Sequence, residues 1–343
     1  MRCFMITLII CLLCYGLPAA DEDKAEYVMK IGIGNPETSN HYGWTPFEVL
    51  AKEIETLSGG RLAVKLYPEV MGQSSMEMID MVLSGAVHAR DFADGHFATL
   101  YPPIQILSIP YLFRERDIAW KVLDGPLGKQ LIEDMARKTG LRPLYWIENG
   151  GFRHYSNNKR AVHSPSDMQG LRFRTMESPL HIKIVTDLGA KGVPIAWPNV
   201  YDAIDSGLVD GQENSISTFL IPHFEKIQNH IILDGHVYST YTLLMNNDWY
   251  QKLPEDLQGV IERAKRVSAV VNRGLAVVNE QQGFRYLKSK GVAIYKPSEE
   301  EQLQFREKTR ASAIAWLNER VGEEWVQAVL QATEEAEREL GYR

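Results

Sequence analysis

The feature that most constrains the fold is a regular alternation of apolar strands and amphipathic helices. The pattern predicts strands over Tyr27–Ile33, Leu62–Tyr67 and Ala86–Phe92, with helices over His41–Leu57 and Ser74–Leu83 between them. Glycine follows each helix, which is typical of helix C-termini. Strands that alternate with helices over short connections indicate an α/β fold, and we expect a parallel sheet with helices on both faces.

A short sequence similarity between two distant segments suggests that the chain has two related parts. Asp80–His88 (DMVLSGAVH) and Asp202–Asp210 (DAIDSGLVD) share Asp, Ser-Gly and Val at the same offsets. Each reads as a helix end followed by a strand. Ser-Gly is common after helices, so coincidence is the alternative interpretation. We expect two similar α/β lobes, one starting near residue 27 and the other near residue 151.

The last third of the chain is predicted to be helical. The run Pro254–Lys290 would form one helix about 50 Å long at about 1.5 Å per residue. That exceeds the width of a small lobe, so the helix is expected to lie across both lobes. A second helical region, Glu299–Leu340, is predicted to cover the outside of a lobe.

The first twenty residues have the pattern of a secretory signal peptide. Arg2 precedes the apolar run Phe4–Leu13, small residues follow, and acidic Asp21–Asp23 comes next. A retained membrane anchor is the alternative, although the apolar run is too short for a permanent span. All three cysteines lie in this segment, so the exported protein is predicted to have neither disulfides nor thiol chemistry.

Several function classes have no support in the sequence. The formal net charge is −7 and no Lys/Arg run is present, so we expect no nucleic-acid partner. Nine histidines form no metal-binding pair of helical spacing, and Gly32-Ile-Gly34 has no third glycine at the dinucleotide spacing. No nucleophile elbow occurs. We therefore expect no metal, no cofactor and no enzymatic turnover.

The strand predicted over Leu171–Thr175 carries two arginines, although buried strands are usually apolar. Arg174 is at its carboxyl end, where ligands sit in open α/β sheets, whereas Arg172 lies near its start and can reach solvent. Ser178-Pro179 then starts a helix whose amide groups favour an anion. A guanidinium fork suits a planar carboxylate. The alternative is a structural ion pair between Arg174 and Glu177.

Two further polar or aromatic sites follow predicted strands. Trp197 precedes Pro198 at a strand-to-helix corner, where an aromatic ring can flank a ligand or pack in the core. Gly211–Asn214 (GQEN) is predicted to follow a short strand directly. Asn214 there offers an amide donor to a carboxylate or forms a turn.

These stretches resemble one family along the whole chain after the signal peptide. The segments NGGFRHYS, GLRFRTMESP, PIAWPNVYDAIDSGLVDGQEN and PEDLQGVIERA, together with GGRLAVKLYPEVMGQ and IPYLF, are similar to DctP-type solute-binding proteins of tripartite ATP-independent periplasmic (TRAP) transporters. The resemblance implies a two-lobed periplasmic-binding-protein fold with a hinge and a ligand cleft. It implies lobe I over residues 27–150 plus about 240–280, and lobe II over 151–239 plus about 281–343.

The resemblance also implies roles for individual residues. Arg174 falls on the arginine that pairs with the ligand carboxylate, and Arg153 on a second ligand-holding arginine. Asn214 falls on a carboxylate-binding asparagine, Trp197 on an aromatic residue beside the ligand, and His236 on a histidine near the hinge.

Lobe I departs from the family pattern after its second helix. Gly85-Ala-Val-His88 replaces the usual GxLD, and the ionisable stretch Arg90–His96 follows. This lobe is expected to read the end of the ligand that lacks the carboxylate. The candidates for binding hydroxyl groups or an amine are Asn35, His41, Asp91, Asp94 and His96.

The predicted function is the periplasmic solute-binding subunit of a TRAP transporter. We expect a monomer that binds a small organic acid and delivers it to the small and large membrane permease subunits. A periplasmic receptor for a membrane sensor and an enzyme on a two-lobed scaffold stay open as alternatives.

Overall fold

The computed structural model describes residues 25–342, and the predicted signal peptide lies outside these residues. The strands are β1 Tyr27–Gly32, β2 Leu62–Tyr67, β3 Ala89–Ala93, β4 Leu141–Asn157, β5 Arg172–Thr175, β6 Lys191–Pro194, β7 Gly211–Asn214, β8 His230–Asn246 and β9 Ala293–Tyr295. The helices are α1 Thr45–Leu57, α2 Ser75–Leu83, α3 Arg116–Asp124, α4 Pro126–Thr139, α5 Pro179–Asp187, α6 Val200–Asp205, α7 Ile216–Leu220, α8 Asn247–Lys252, α9 Glu255–Ser289, α10 Glu299–Val321 and α11 Glu323–Glu339. In this part of the chain no helix combines the length and apolarity needed to cross a membrane.

The strands form one mixed sheet in the order β2-β1-β3-β8-β4-β7-β5-β6, and β9 pairs with β8. The prediction of a parallel sheet holds for β1 with β2 and β3 and for β5 with β6 and β7. It is wrong for the centre, because β8 and β4 run antiparallel to each other and to β3 and β7. The mixed α/β architecture agrees with the predicted two-lobed fold.

The two halves of the sheet mirror each other around the central pair. β2-β1-β3 lies beside β8 in the same way as β6-β5-β7 lies beside β4. The similar segments seen in the sequence occupy equivalent places: α2 and α6 end before Gly85 and Gly207, both with positive φ, and β3 or β7 follows. The sequence similarity therefore corresponds to a repeated unit of structure.

The central strands β4 and β8, each 17 residues long, run through both halves. Their pairing is interrupted between Glu148 and Phe152, where Gly150 and Gly151 have φ of 78° and 101°. A Cβ at Gly151 would lie 2.5 Å from the Arg116 guanidinium, which would have to move, and the φ of 101° favours glycine at this position. This irregularity bends the strand between the two halves.

Helix α9 is continuous over its 35 residues, as predicted, and packs against α1, β4 and α7. Asn272, fully buried at its centre, donates to the carbonyl oxygens of Tyr42 (3.0 Å) and Glu148 (3.1 Å) and accepts from the Glu148 N–H (2.8 Å). The two bonds to Glu148 satisfy backbone groups at the irregularity in β4, and the bond to Tyr42 joins α9 to the segment before α1.

The C-terminal helices pack against elements from both halves. α10 contacts α5, whereas α11 contacts α3 and α4 in the range predicted as lobe I. The exact assignment of residues to lobes stays a prediction, and we keep the names lobe I and lobe II for the predicted ranges.

Candidate functional site

A cavity with about 40 Å³ of free volume lies where the two halves of the sheet meet. Its lining comes from both predicted lobes. The lining residues are Gly34, Asn35, Met71, Met78, Arg90, Ala93, His96, Asn149, Arg153, Arg174, Met176, Trp197, Asn214, Thr218 and Tyr241. Three of these side chains are guanidinium groups and none is a carboxylate.

Arg174 is held in the cavity wall at the carboxyl end of β5. Its side chain is 1% exposed, and its Nε donates to the carbonyl oxygen of Ile195 at 2.8 Å. Among residues 25–342, no acid forms an ion pair with Arg174 and no acceptor bonds to its two terminal nitrogens. Burial lowers the pKa of Arg174 to about 9, which leaves it charged at neutral pH. The wall thus presents an unpaired fork of donors.

The ion-pair partners in the structure distinguish the two arginines of β5, of which one could bind a ligand carboxylate and the other forms a structural ion pair. Arg172 forms a two-point ion pair with Asp210, with Nη2–Oδ1 at 2.7 Å and Nε–Oδ2 at 3.1 Å, and it is partly exposed. Glu177 does not pair with Arg174; its carboxylate instead accepts from the backbone N–H and the hydroxyl of Ser75.

Arg153 lines the same cavity but is already paired by the protein. Its Nε and Nη2 donate to the carboxylate of Glu213, Nη2 also reaches the Glu213 carbonyl oxygen at 2.6 Å, and Nη1 donates to Ser239 at 3.0 Å. Four of its five N–H groups are therefore engaged, and its charge is compensated. Arg153 can contribute one further donor to a ligand, whereas Arg174 can contribute four.

Glu213 also holds two histidines. His181 Nδ1 lies 3.4 Å from its Oε1 and His236 Nε2 lies 3.3 Å from its Oε2. Burial alone raises the pKa of Glu213, but Arg153 and His181 hold it well below its usual range. His236 was predicted as a ligand residue, but the structure does not bring it to the cavity.

His236 is buried behind the wall for a physical reason. Its ring stacks on Tyr155 at 4.1 Å and its Nδ1 bonds to Asp234 at 2.8 Å. Burial lowers the pKa of His236, but the ion pair with Asp234 and the bond to Glu213 outweigh burial and raise it to about 9.

Trp197 and Asn214 both lie in the wall. The Trp197 ring lies 5.7 Å from the Arg174 guanidinium carbon, a cation–π distance. Asn214 is the last residue of β7, so the expectation that Gly211–Asn214 follows a strand is wrong. These residues form the strand itself because they pair with β5 and β4. The Asn214 amide nitrogen has no protein acceptor in the described chain.

Two of the five lobe I candidates, Asn35 and His96, line the cavity. His41 lies instead in a separate surface groove beside α9, where its Nδ1 accepts from the Gly43 N–H. Burial lowers the pKa of His41 to about 4. Burial and the surrounding arginines together lower the pKa of His96 to about 3, so His96 is neutral.

The two lobe I acids are buried behind the wall rather than in it. Asp91 accepts from the Gly34 N–H and the Tyr241 hydroxyl, both at 2.7 Å. Asp94 accepts from the Ser108 hydroxyl at 2.7 Å and from the Gly95 N–H at 2.8 Å. Burial raises the pKa of both carboxyl groups. These acids hold neighbouring groups of the wall in place. Neither carboxylate lines the cavity, so neither is placed to bind an amine there.

Sequence reasoning missed several lining residues. Arg90 lies on β3, in the ionisable stretch Arg90–His96. This strand is buried on both faces, so no alternation of polar and apolar residues indicates which face the Arg90 side chain is on. Asn149, Thr218 and Tyr241 come from β4, α7 and β8. No local signal marks them, because the central strands bring them together from distant positions.

Hydrogen bonds connect the predicted lobes around the cavity. The Tyr42 hydroxyl bonds to Thr218 at 2.6 Å and to Asn149 at 3.2 Å. The side chain of Gln105 accepts from the Leu180 N–H at 3.0 Å. That amide belongs to the start of α5. We expected this helix N-terminus to face the ligand, but it bonds to Gln105 and does not line the cavity.

Comparison with known proteins places this architecture in a family. The family model DctP, described as bacterial extracellular solute-binding protein, family 7, matches residues 33–316. A solute-binding protein of Verminephrobacter eiseniae is 37% identical over 270 residues, 79% of each chain.

No group of three or more potential metal-ligand residues occurs in residues 25–342.

Solved structures give the same result. The sugar acid binding protein DctPAm from Advenella mimigardefordensis, in complex with galactonate, superimposes with a TM-score of 0.84 at 28% identity, covering 90% of this chain and 98% of that one. A TRAP periplasmic solute binding protein from Polaromonas sp. JS666, bound to D-erythronate, gives a TM-score of 0.82 at 33% identity, covering 89% and 98%. The chain therefore belongs to the DctP family of TRAP-transporter solute-binding proteins.

Proposed function

We propose that the protein is the periplasmic solute-binding subunit of a TRAP transporter and that it binds a small organic acid between its lobes. The observation that carries this proposal is Arg174, a buried guanidinium in a cavity wall that forms no ion pair with any carboxylate in residues 25–342. A ligand carboxylate would complete its hydrogen bonds, while Trp197 and the Asn214 amide would flank the same group. The sugar acids bound by similar proteins support this ligand class.

The bound acid would be delivered to a membrane permease made of a small and a large subunit, and the binding protein would act as a monomer. The proposal is binding without turnover. Within the described chain His96 has no carboxylate partner, and the Thr218 hydroxyl bonds to Tyr42 and Asn149 rather than to a base. A ligand recovered unchanged after incubation would distinguish binding from enzymatic conversion.

The experiment compares two arginines of one strand. Thermal-shift screening of small acids identifies a ligand, since a ligand at 100 times its Kd stabilises by about 2.7 kcal/mol. Calorimetry then measures its Kd for Arg174→Ala and Arg174→Lys, with Arg172→Ala as the matched control.

We expect Arg174→Ala to weaken binding by at least about 2 kcal/mol, roughly 30-fold, because a buried charged partner is lost. Arg174→Lys should also bind more weakly because an ammonium lacks the planar fork, and Arg172→Ala should bind normally. Wild-type affinity in Arg174→Ala would overturn the proposal.

A further inference from the structure

Arg90 is a second guanidinium in the cavity wall, contributed by β3 of lobe I, and it is 3% exposed. Its Nε and Nη2 donate to the carbonyl oxygen of Val70 at 3.0 and 2.7 Å, and its Nη1 donates to that of Asp91 at 2.6 Å. Nη2 also contacts the Met71 sulfur at 3.9 Å, a weak acceptor. One Nη1–H has no acceptor in residues 25–342.

Arg90 differs from Arg174 in having a carboxylate, that of Asp91, close enough to offset its positive charge. Asp91 Oδ1 lies 3.8 Å from Arg90 Nη1. The same carboxylate accepts from the Gly34 N–H and the Tyr241 hydroxyl, and the Asn35 amide lies 3.5 Å away. Burial raises the pKa of Asp91, while Arg90 and these hydrogen bonds oppose that rise. Arg90 therefore offers one hydrogen-bond donor to the cavity, and the neighbouring Asp91 carboxylate offsets its charge.

His96, beside Arg90, indicates which ligand groups can bind at this end of the cavity. Its Nδ1 is buried and has no hydrogen-bond partner in the described chain. A neutral imidazole has one N–H donor and one lone-pair acceptor. A carboxylate can satisfy the donor only, whereas a hydroxyl group can satisfy either nitrogen. The neutral amides of Asn35 and Asn149 in the same wall likewise suit hydroxyl groups.

We propose that Arg90 and His96 read the far end of the ligand, and that this end carries hydroxyl groups and no charge. The ligand is thus a hydroxylated acid with one carboxylate. This inference rests on the proposed function, since it requires the carboxylate to bind at Arg174. With Arg153 compensated by Glu213 and Arg90 by Asp91, the wall has one uncompensated cation. A second carboxylate has no partner of its own, and an amine faces guanidinium groups.

The test uses acids that differ in one property at a time. Gluconate and glucarate share a six-carbon polyhydroxy chain with one or two carboxylates, and erythronate and tartrate form the four-carbon pair. Butyrate and hexanoate lack the hydroxyl groups. Calorimetry measures each Kd for the wild type and for Arg90→Gln, Asp91→Asn and the control Arg172→Gln, after circular dichroism establishes that each variant is folded.

We expect the wild type to bind the monocarboxylate of at least one hydroxylated pair at least tenfold more tightly than its dicarboxylate. Arg90→Gln should lose at least tenfold for that hydroxy acid and change little for the acid without hydroxyl groups. Asp91→Asn leaves the Arg90 charge uncompensated, so the preference should shift at least tenfold towards the dicarboxylate. Arg172→Gln should match the wild type.

The outcomes separate the two proposals. A wild type that binds the dicarboxylates as tightly as the monocarboxylates, or an Arg90→Gln variant with normal affinity for the hydroxy acid, overturns the inference and leaves the proposed function intact. If Asp91→Asn does not fold, the wild-type selectivity and Arg90→Gln decide the matter. If the wild type binds none of the six acids but binds another acid that requires Arg174, this inference alone fails; if no small acid binds, or Arg174→Ala leaves the affinity unchanged, the proposed function fails and this inference with it.

Discussion

The contact between Glu177 and Ser75 makes a prediction about lobe closure. Glu177 follows β5 in lobe II, and Ser75 is the first residue of α2 in lobe I. The Glu177 carboxylate accepts from the Ser75 N–H at 3.0 Å and from its hydroxyl at 2.5 Å. The carboxylate also lies at a helix N-terminus, where negative charge is favoured. We expect Glu177→Ala to remove bonds that exist only when the lobes are together.

The size of the effect follows from these two bonds. Hydrogen bonds to charged groups contribute about 1.5–3 kcal/mol each when buried. Glu177 is only partly buried, so we take about 2 kcal/mol for the pair. If the ligand-free protein is mostly open, the loss lowers the closed-to-open ratio and the apparent ligand affinity by about 30-fold. Ser75→Ala keeps the backbone bond and should weaken affinity less.

The sign of the effect distinguishes closure from simple electrostatics. Burial lowers the pKa of Arg174, and the negative charges of Glu213 and Glu177 partly oppose this. Removing Glu177 would therefore strengthen anion binding if only its field mattered. Calorimetry on Glu177→Ala, Ser75→Ala and the double variant measures the affinity, and small-angle scattering measures compaction with ligand. Unchanged or tighter binding by Glu177→Ala refutes the reasoning.

Two further predictions concern stability. Asn272→Leu leaves three buried backbone groups without their partners and should lower the free energy of unfolding by about 3 kcal/mol in urea titrations, whereas the exposed neighbour Gln282→Leu should not. Protonated His236 has its pKa raised to about 9, so its stabilisation is complete below about pH 6.5 and is lost as the pH rises through 9. Urea titrations should give the wild type an advantage of about 3 kcal/mol over His236→Gln near pH 6 that disappears above pH 9; an advantage constant with pH contradicts this.

The sequence predicted those elements whose boundaries are set by local chemistry. Strand β2 and helix α9 were placed to within one residue, because Pro254 and Gly291 limit the helix and glycines precede the strand. The direction of the central strands could not be predicted. It depends on pairing between β4 and β8, which are separated by more than seventy residues.

In the candidate site, too, features set by local sequence could be predicted and features set by pairing between distant strands could not. Arg174 was found because the end of a parallel strand is a local feature with a known place in the fold. The different state of Arg153 could not be predicted, since its partner Glu213 lies 60 residues away and becomes its neighbour only through the pairing of β4 with β7. Asp91 could not be placed because a strand buried on both faces does not indicate which side chains face a cavity, and Asp94 lies in the 3-10 turn Asp94–His96 that follows the strand.

The distribution of paired charges explains how a protein with a net charge of −7 can bind an anion. At physiological ionic strength, exposed charges are screened beyond about 8 Å, so the acidic surface has little influence inside a buried cavity. There the field is set by nearby groups: Glu213 compensates Arg153 and Asp91 compensates Arg90, while Arg174 forms no ion pair with any acid in the part of the chain that the structure describes. Desolvation makes an unpaired buried cation unfavourable, as the lowered pKa of Arg174 indicates. A bound carboxylate relieves that penalty, so the same burial that opposes the ligand-free closed form favours closure around an acid.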